Sequence, residues 1–168
     1  MTLDTNERFF NWSIDTTLIE PYPDTLWSLL KTEDKPNLVQ MRLQDVPLDR
    51  FEHLEENDIL FVDSTHVSKI NSDVNKILFE ILPVLKPGVH VHFHDIVWPF
   101  EYPKEWVYEG RAWNEAYILR AFLMFNKMYK IVLMSSYVCH FFGYYFKQYM
   151  PLCLENSGTS LWIKKMNE

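Results

Sequence analysis

Each of four apolar runs in this chain closes on a carboxylate, and that repetition constrains the fold more than any other feature. The runs are Thr16-Thr17-Leu18-Ile19-Glu20, Leu38-Val39-Gln40-Met41-Arg42-Leu43-Gln44-Asp45, Ile59-Leu60-Phe61-Val62-Asp63 and Val89-His90-Val91-His92-Phe93-His94-Asp95. Runs of this length with β-branched and aromatic content read as strands, and segments with helical periodicity separate them. Alternating strands and helices predict parallel pairing, because each crossover helix returns the chain to the same edge. Strands that point one way bring the acids at their carboxyl ends to one crevice, where open α/β sheets bind ligands. One such acid would mark only the place where polar residues reappear after a strand. Glu20, Asp45, Asp63 and Asp95 in an ordered array predict a cofactor site.

The helical segments support this alternation. Between about Ser72 and Leu85, Val74 is followed by Ile77, Leu78, Ile81, Leu82 and Leu85 at spacings of three, four, seven, eight and eleven, one face of a helix. Pro83 should kink its last turn, and Lys86-Pro87-Gly88 should end it. A second long helix is expected over about Ala112 to Asn126, with Ala116, Leu119, Phe122 and Leu123 on one stripe. A short helix over Thr5 to Trp12 would bury Phe9, Phe10 and Trp12, and Asp24 could cap a helix carrying Leu26, Trp27, Leu29 and Leu30. A turn is expected over Lys35-Pro36-Asn37, and a short helix further on should turn Phe51 and Leu54 inward. Late strands are expected over Tyr129 to Leu133 and Ser160 to Lys164. At 168 residues the whole chain, 1–168, reads as a single domain with a real core.

A net charge of -7 with no basic block argues against nucleic acid as a partner. No apolar stretch approaches the ~20 residues needed to span a bilayer, which argues against a membrane, and no signal-peptide core opens the chain, so a cytoplasmic location is expected. Cys139 and Cys153 have no metal-binding spacing and read as two buried reduced thiols.

His90, His92 and His94 alternate, so a strand would set all three on one face. That could make a zinc or iron site. The preferred reading makes His90 and His92 hydrogen-bonded structural residues and sends His94, beside Asp95, to the crevice. His66, three residues past Asp63, is either a general base in that crevice or a solvated loop histidine. Trp98, Phe100, Tyr102, Trp106, Tyr108 and Trp113 either wall an acceptor pocket or belong to the core. Lys104, Glu105, Glu109 and Arg111 read as a solvated loop.

Several blocks, in order, resemble the class I S-adenosylmethionine-dependent methyltransferases, and more narrowly a bacterial branch related to small-molecule O-methyltransferases. They are Leu18-Ile19-Glu20-Pro21-Tyr22-Pro23, Asp58 to Val67 (DILFVDSTHV), Leu82 to Gly88 (LPVLKPG), Val91 to Ile96 (VHFHDI) and Pro99-Phe100-Glu101-Tyr102-Pro103. The resemblance implies a Rossmann-like, mostly parallel sheet with flanking helices. It implies that Glu20 grips the ribose hydroxyls of S-adenosylmethionine, that Asp45 faces the adenine amino group, and that Asp63 lies beside methyl donor and acceptor. Catalysis would then fall to Asp63, His66 and His94, and a divalent cation would sit on Asp63 and Asp95. The acceptor would be a small molecule.

The family's glycine-rich turn, an acid followed by G-x-G after the first strand, has no counterpart here. The glycines are Gly88, Gly110, Gly143 and Gly158, all beyond Glu20. Against the family the chain therefore reads as amino-terminally shortened, with that first strand and turn missing. Two other readings stand beside the enzyme. One is a non-catalytic methyltransferase-like domain that binds a partner or forms a homo-oligomer covering exposed strand edges. The weaker is a histidine-ligated metal-dependent hydrolase, since the histidine run is similar to the H-x-H-x-D-H string of metallo-β-lactamase-like proteins.

Overall fold

The computed structural model describes residues 2–34 and 36–167, and the chain divides into two compact units, Met1–Pro47 and Leu48–Glu168. The first unit carries α1 (Thr2–Phe10), β1 (Thr17–Ile19), α2 (Asp24–Leu29), β2 (Asn37–Val39) and a 3-10 turn at Leu43–Asp45. β1 and β2 pair in parallel, Thr17 opposite Asn37 and Ile19 opposite Val39. The turn expected over Lys35-Pro36-Asn37 includes Lys35, which lies outside the described residues. Phe9, Phe10 and Trp12 are exposed rather than anchoring α1. The anchor is Asn6, buried, whose side-chain amide donates to Ile14 O (2.7 Å) and whose Oδ1 accepts from Ile14 N (3.2 Å). A polar residue fastens the helix to the strand lead because it satisfies two backbone groups at once.

The expected strand over Leu38 to Asp45 stops at Val39. Arg42 grips Asp45 three residues on with a two-pronged contact, Nε to Oδ2 at 2.9 Å and Nη2 to Oδ1 at 3.2 Å. That fork holds the backbone in a tight turn, so Asp45 sits on the 3-10 turn and not at a strand end.

The second unit continues with α3 (Asp49–Glu52), β3 (Ile59–Val62), α4 (Asp73–Lys76), a π-turn (Ile77–Ile81), α5 (Leu82–Val84), β4 (His90–Phe93), α6 (Lys104–Tyr108), α7 (Glu115–Met124), β5 (Tyr129–Met134), α8 (Ser135–Tyr149), a 3-10 turn (Pro151–Leu154) and β6 (Leu161–Lys165). Its four strands lie in the order β3-β4-β6-β5. β3 and β4 are parallel, as the alternation predicts, but β6 enters antiparallel to both β4 and β5, so this sheet is mixed. The architecture is α/β with a parallel portion and flanking helices.

The face predicted over Ser72 to Leu85 is the core: Val74, Ile77, Leu78, Ile81, Leu82 and Leu85 are all buried, with Phe51, Val91, Phe93, Leu119, Leu161 and Ile163. Ser72 caps this helix by accepting from Asn75 N (3.3 Å). The kink expected at Pro83 takes the form of the widened turn Ile77–Ile81. Proline lacks the donor for the regular ladder and its ring crowds the carbonyl four residues back, which a π-turn relieves. The helix-end carbonyls find side-chain donors. Tyr129 O–H donates to Leu82 O (2.6 Å), and the buried Lys165 ammonium lies 3.4 Å from Pro83 O and over the Tyr129 ring. Burial raises the Tyr129 phenol above its ordinary pKa, so it stays a donor. Neither cysteine is buried as expected; both are partly exposed free thiols.

Gly88 turns the chain from this helix into β4 at φ +90°, its N–H donating to Lys165 O (2.9 Å) and its carbonyl accepting from Asn57 N (3.1 Å). A β-carbon there would meet Glu56 Cγ at 2.5 Å and Glu56 Cα at 3.0 Å. Gly88→Ala should destabilise the fold by about 1–2 kcal/mol from the left-handed backbone alone. Thermal unfolding followed by circular dichroism should show a midpoint lower by a few degrees; an unchanged midpoint would contradict this account of the turn.

Candidate functional site

Two loops at the carboxyl ends of adjacent parallel strands meet the start of a helix in the second unit. β3 ends at Val62 and β4 at Phe93, and these two are in register, so Asp63 emerges beside His94. His94 N–H still donates to Val62 O (2.9 Å), which fixes the exit of both strands. His94 then turns out of the sheet, half-exposed, with Nδ1 at 3.7 Å from Asp63 Oδ1 and 3.3 Å from Asp95 Oδ1.

His66 enters from the β3 loop with φ +58°, a left-handed conformation that a β-carbon normally avoids. The start of α7 holds it there. Asn114 N and Glu115 N both donate to His66 O, at 3.0 and 3.2 Å. The Glu115 side chain, 1 % exposed, accepts from His66 Nδ1 (2.8 Å) and from Ser64 Oγ (2.9 Å), while His66 N–H donates to Ser64 Oγ (2.9 Å). Nδ1 is thereby the donor, and Nε2 faces Asp63 Oδ1 at 3.6 Å. Trp113 lies against the imidazole at 4.1 Å between ring centres. One ligand atom each from Asp63, His66 and His94 falls within 4.8 Å of the others.

Burial pulls the His66 pKa down, but the hydrogen bond to Glu115 and the carboxylates of Glu115, Asp95 and Asp63 outweigh it, and the net shift is upward. His92 behaves in the opposite way. It is buried between Trp162, its cross-strand partner stacked at 4.7 Å, and the edge of Phe61, and neither ring nitrogen has a hydrogen-bond partner among the described residues. Burial and the neighbouring His94 push its pKa down to about 4. His92 is therefore held by stacking, where hydrogen bonding was expected, and the three alternating histidines do not assemble: His94 alone joins the cluster.

Of the sequence-derived site residues, Asp63, His66 and His94 come together, with Asp95 adjoining through His94. Asp95 also accepts from Thr159 Oγ1 (2.6 Å). Glu20 and Asp45 belong to the first unit. Glu20 follows β1, half-buried, one oxygen accepting from Tyr22 N (2.8 Å), and Asp45 is held by Arg42. A cavity of about 670 Å³ in that unit lies by Asn6, Trp12, Thr17, Glu33 and Asn37, at the opposite end of β1 from Glu20.

Glu115 escaped the sequence reading. Glutamate as the opening residue of a helix looks like a solvated dipole partner, and only its burial singles it out. The aromatic set divides. Tyr102, Trp106 and Trp113 pack together, and Tyr102 O–H accepts from Ala116 N (2.9 Å), with burial pushing its pKa up to about 12. Trp98 instead packs on Tyr137, His140 and Phe141 of α8, and Tyr108 is exposed. Arg111, expected in a solvated loop, lies 4.8 Å from both the Trp106 and Trp113 rings and pairs with Glu109 (2.8 Å).

Comparison with known proteins places the chain. A family model described as a methyltransferase domain matches residues 3–96, and the chain belongs to that family. Membership supports a methyltransferase function and, in general, use of S-adenosylmethionine. An uncharacterised protein of Archaeoglobus fulgidus is 42% identical over 60 residues, which is 35% of this chain and 27% of that relative; the match spans just over a quarter of the relative's length. No solved structure matches. Among the described residues, no helix is long and apolar enough to cross a membrane.

The two histidines predict opposite pH dependences. A raised His66 pKa stabilises the fold fully below the unfolded value and loses that contribution as pH climbs past the folded value. A lowered His92 pKa stabilises it above pH 6.5 and is lost as pH falls toward 4, worth about 3 kcal/mol at most. His92→Leu should leave stability at pH 7 within about 1 kcal/mol, because both ring nitrogens are unpartnered, and should remove much of the acid-side loss. Urea unfolding at pH 7 and near pH 4 measures both. An equally steep acid loss in the variant would show that His92 is not its source.

Proposed function

We propose that this protein is an S-adenosylmethionine-dependent methyltransferase of the small-molecule O-methyltransferase-like branch, with Asp63, His66 and His94 managing the proton of the acceptor. The observation that carries this reading is the oriented imidazole: buried Glu115 fixes one nitrogen of His66 and leaves the other directed toward Asp63. Transfer to an oxygen or nitrogen needs alignment and removal of the acceptor proton more than covalent help. Bound cofactor supplies a methyl group on a sulfonium sulfur. The residues of this chain would align the acceptor and take its proton, on Nε2 of His66 or on His94.

Trp113 packs against His66 and supports an aromatic wall for the acceptor. Glu20 is proposed to accept from the ribose hydroxyls. One of its oxygens is taken by Tyr22 N, so the diol contact falls mainly to the other. Asp45 is proposed for the adenine amino group, which requires the Arg42 fork to open. The family resemblance implies a divalent cation at Asp63 and Asp95; His94 lies between these two acids, and Asp95 Oδ1 also accepts from Thr159 Oγ1. The partner is a small molecule and the setting the cytoplasm, with no nucleic acid given the -7 charge.

Self-association is a second reading, favoured by one observation. α8 has no buried residue and exposes Tyr137, Phe141, Phe142, Tyr144 and Tyr145. Analytical ultracentrifugation tests it.

Calorimetric titration of S-adenosylmethionine into the purified chain tests the enzyme reading. Binding is expected, weakened about 10- to 100-fold in Glu20→Gln through loss of charge-assisted hydrogen bonds. Neither heat nor a thermal shift in the wild-type chain would overturn the proposal.

A further inference from the structure

We propose that Asp63, His66 and His94 form a binding site for a divalent transition-metal ion, with Glu115 as the residue that positions His66. The binding claim stands apart from the methyltransferase reading; only its catalytic consequence rests on it. Glu115, itself 1 % exposed, engages Nδ1 of His66, so Nε2 is the ring atom left to face the Asp63 carboxylate. The separation of 3.6 Å is too long for a hydrogen bond between them. His94 Nδ1 is buried at the atom level and has no hydrogen-bond partner among the described residues, with the Asp95 and Asp63 carboxylates beside it at 3.3 and 3.7 Å. One ligand atom each from Asp63, His66 and His94 thus lies within 4.8 Å of the others, with Asp95 Oδ1 a further carboxylate oxygen 3.3 Å from His94 Nδ1. A divalent cation would satisfy such a set, displacing any ring proton as it bound.

The spacing suits one. Metal–nitrogen and metal–oxygen bonds of about 2.0–2.2 Å set ligand atoms roughly 3.0–3.5 Å apart. Asp63 Oδ1 lies 3.6 and 3.7 Å from the two rings and all three ligand atoms lie within 4.8 Å, so the set closes by side-chain rotation, for which Asp63 and His94 are exposed enough. A carboxylate behind the metal-facing ring is the usual second half of a histidine site. It fixes the tautomer and strengthens the ring as a donor, and Glu115, locked by Ser64, has that relation to His66. The donor set also selects the metal. Two imidazoles with one carboxylate favour zinc, iron(II), cobalt(II) or manganese(II) over magnesium and calcium, which prefer all-oxygen cages. Three protein ligands leave coordination positions open. An acceptor hydroxyl could occupy one and lose its proton more readily there. In that state His66 and His94 serve as ligands rather than as bases.

Titrating cobalt(II) into the untagged, chelator-treated full chain, with visible d–d absorption and calorimetry as readouts, tests the site without any turnover. The expected result is saturable binding of a single ion, displaced by zinc and not by magnesium. His94→Gln should weaken it at least tenfold; this side chain is 43% exposed and outside the core, so the variant should fold, as circular dichroism will verify. Glu115→Gln should weaken it by about 10- to 100-fold, as loss of such a partner usually does. His140→Ala, whose ring packs on Trp98 far along the chain from the cluster, should leave it unchanged. Absence of a cobalt spectrum and of heat, or binding that survives intact in folded His94→Gln, would overturn the proposal. Because S-adenosylmethionine is titrated separately, failure of the metal site and failure of the cofactor reading are told apart.

Discussion

Glu115 is a carboxylate with 1 % of its surface exposed, and the arrangement around it follows from that burial. An ionised carboxylate removed from water costs several kcal/mol unless donors reach it. Ser64 and His66 supply them on Oε2, and both lie on the loop leaving β3. These contacts to Oε2, with Oε1 buried and without a hydrogen-bond partner among the described residues, tie this loop to the first turn of α7. His66 O, accepting from Asn114 and Glu115 backbone N–H groups, adds a second tie and uses helix-end donors that would otherwise lack partners. The left-handed backbone of His66 is the strain this double attachment sustains.

The other half of the cluster depends on β4. Val91 and Phe93 are fully buried, and β4 has β3 on one side and β6 on the other. A strand so enclosed cannot slip by a residue without turning its apolar side chains to the wrong face. His94 and Asp95 are thus delivered to a set position. His92 shares that rigidity at a cost, since it sits among Phe61 and Trp162 with unpartnered nitrogens. Two histidines two residues apart consequently have different surroundings, His92 buried among aromatic rings and His94 half-exposed at the rim beside Asp63 and Asp95.

Much of the fold was legible because it rests on periodicity. The stripe from Val74 to Leu85 is buried as its spacing demands, and Ala116 and Leu119 of α7 likewise. The strand end just before Asp63 followed from where the apolar run stops, and β4 ends at Phe93, two residues short of Asp95. The misreadings fall where periodicity says nothing. Leu38 to Asp45 has strand-like composition, but a local Arg42–Asp45 fork turns the chain after Val39. Phe9 and Phe10 look like anchors, yet Asn6 fastens α1 because it can satisfy two backbone groups of Ile14. Arg111 looks solvated, yet two indoles flank its guanidinium.

By itself the sequence determined the α/β alternation, the core helix, the likeness to the methyltransferase family, and the presence of Asp63, His66 and His94 near strand ends. These depend on side-chain pattern along the chain, which burial enforces residue by residue. Only the tertiary structure decided that β6 runs antiparallel between β4 and β5, that Glu115 comes from 49 residues beyond His66 to orient it, and that His66 rather than His92 joins His94. Each of those depends on which distant segments share space, and no local preference encodes that: a glutamate at a helix start is the same residue in water or in a core until another loop folds over it.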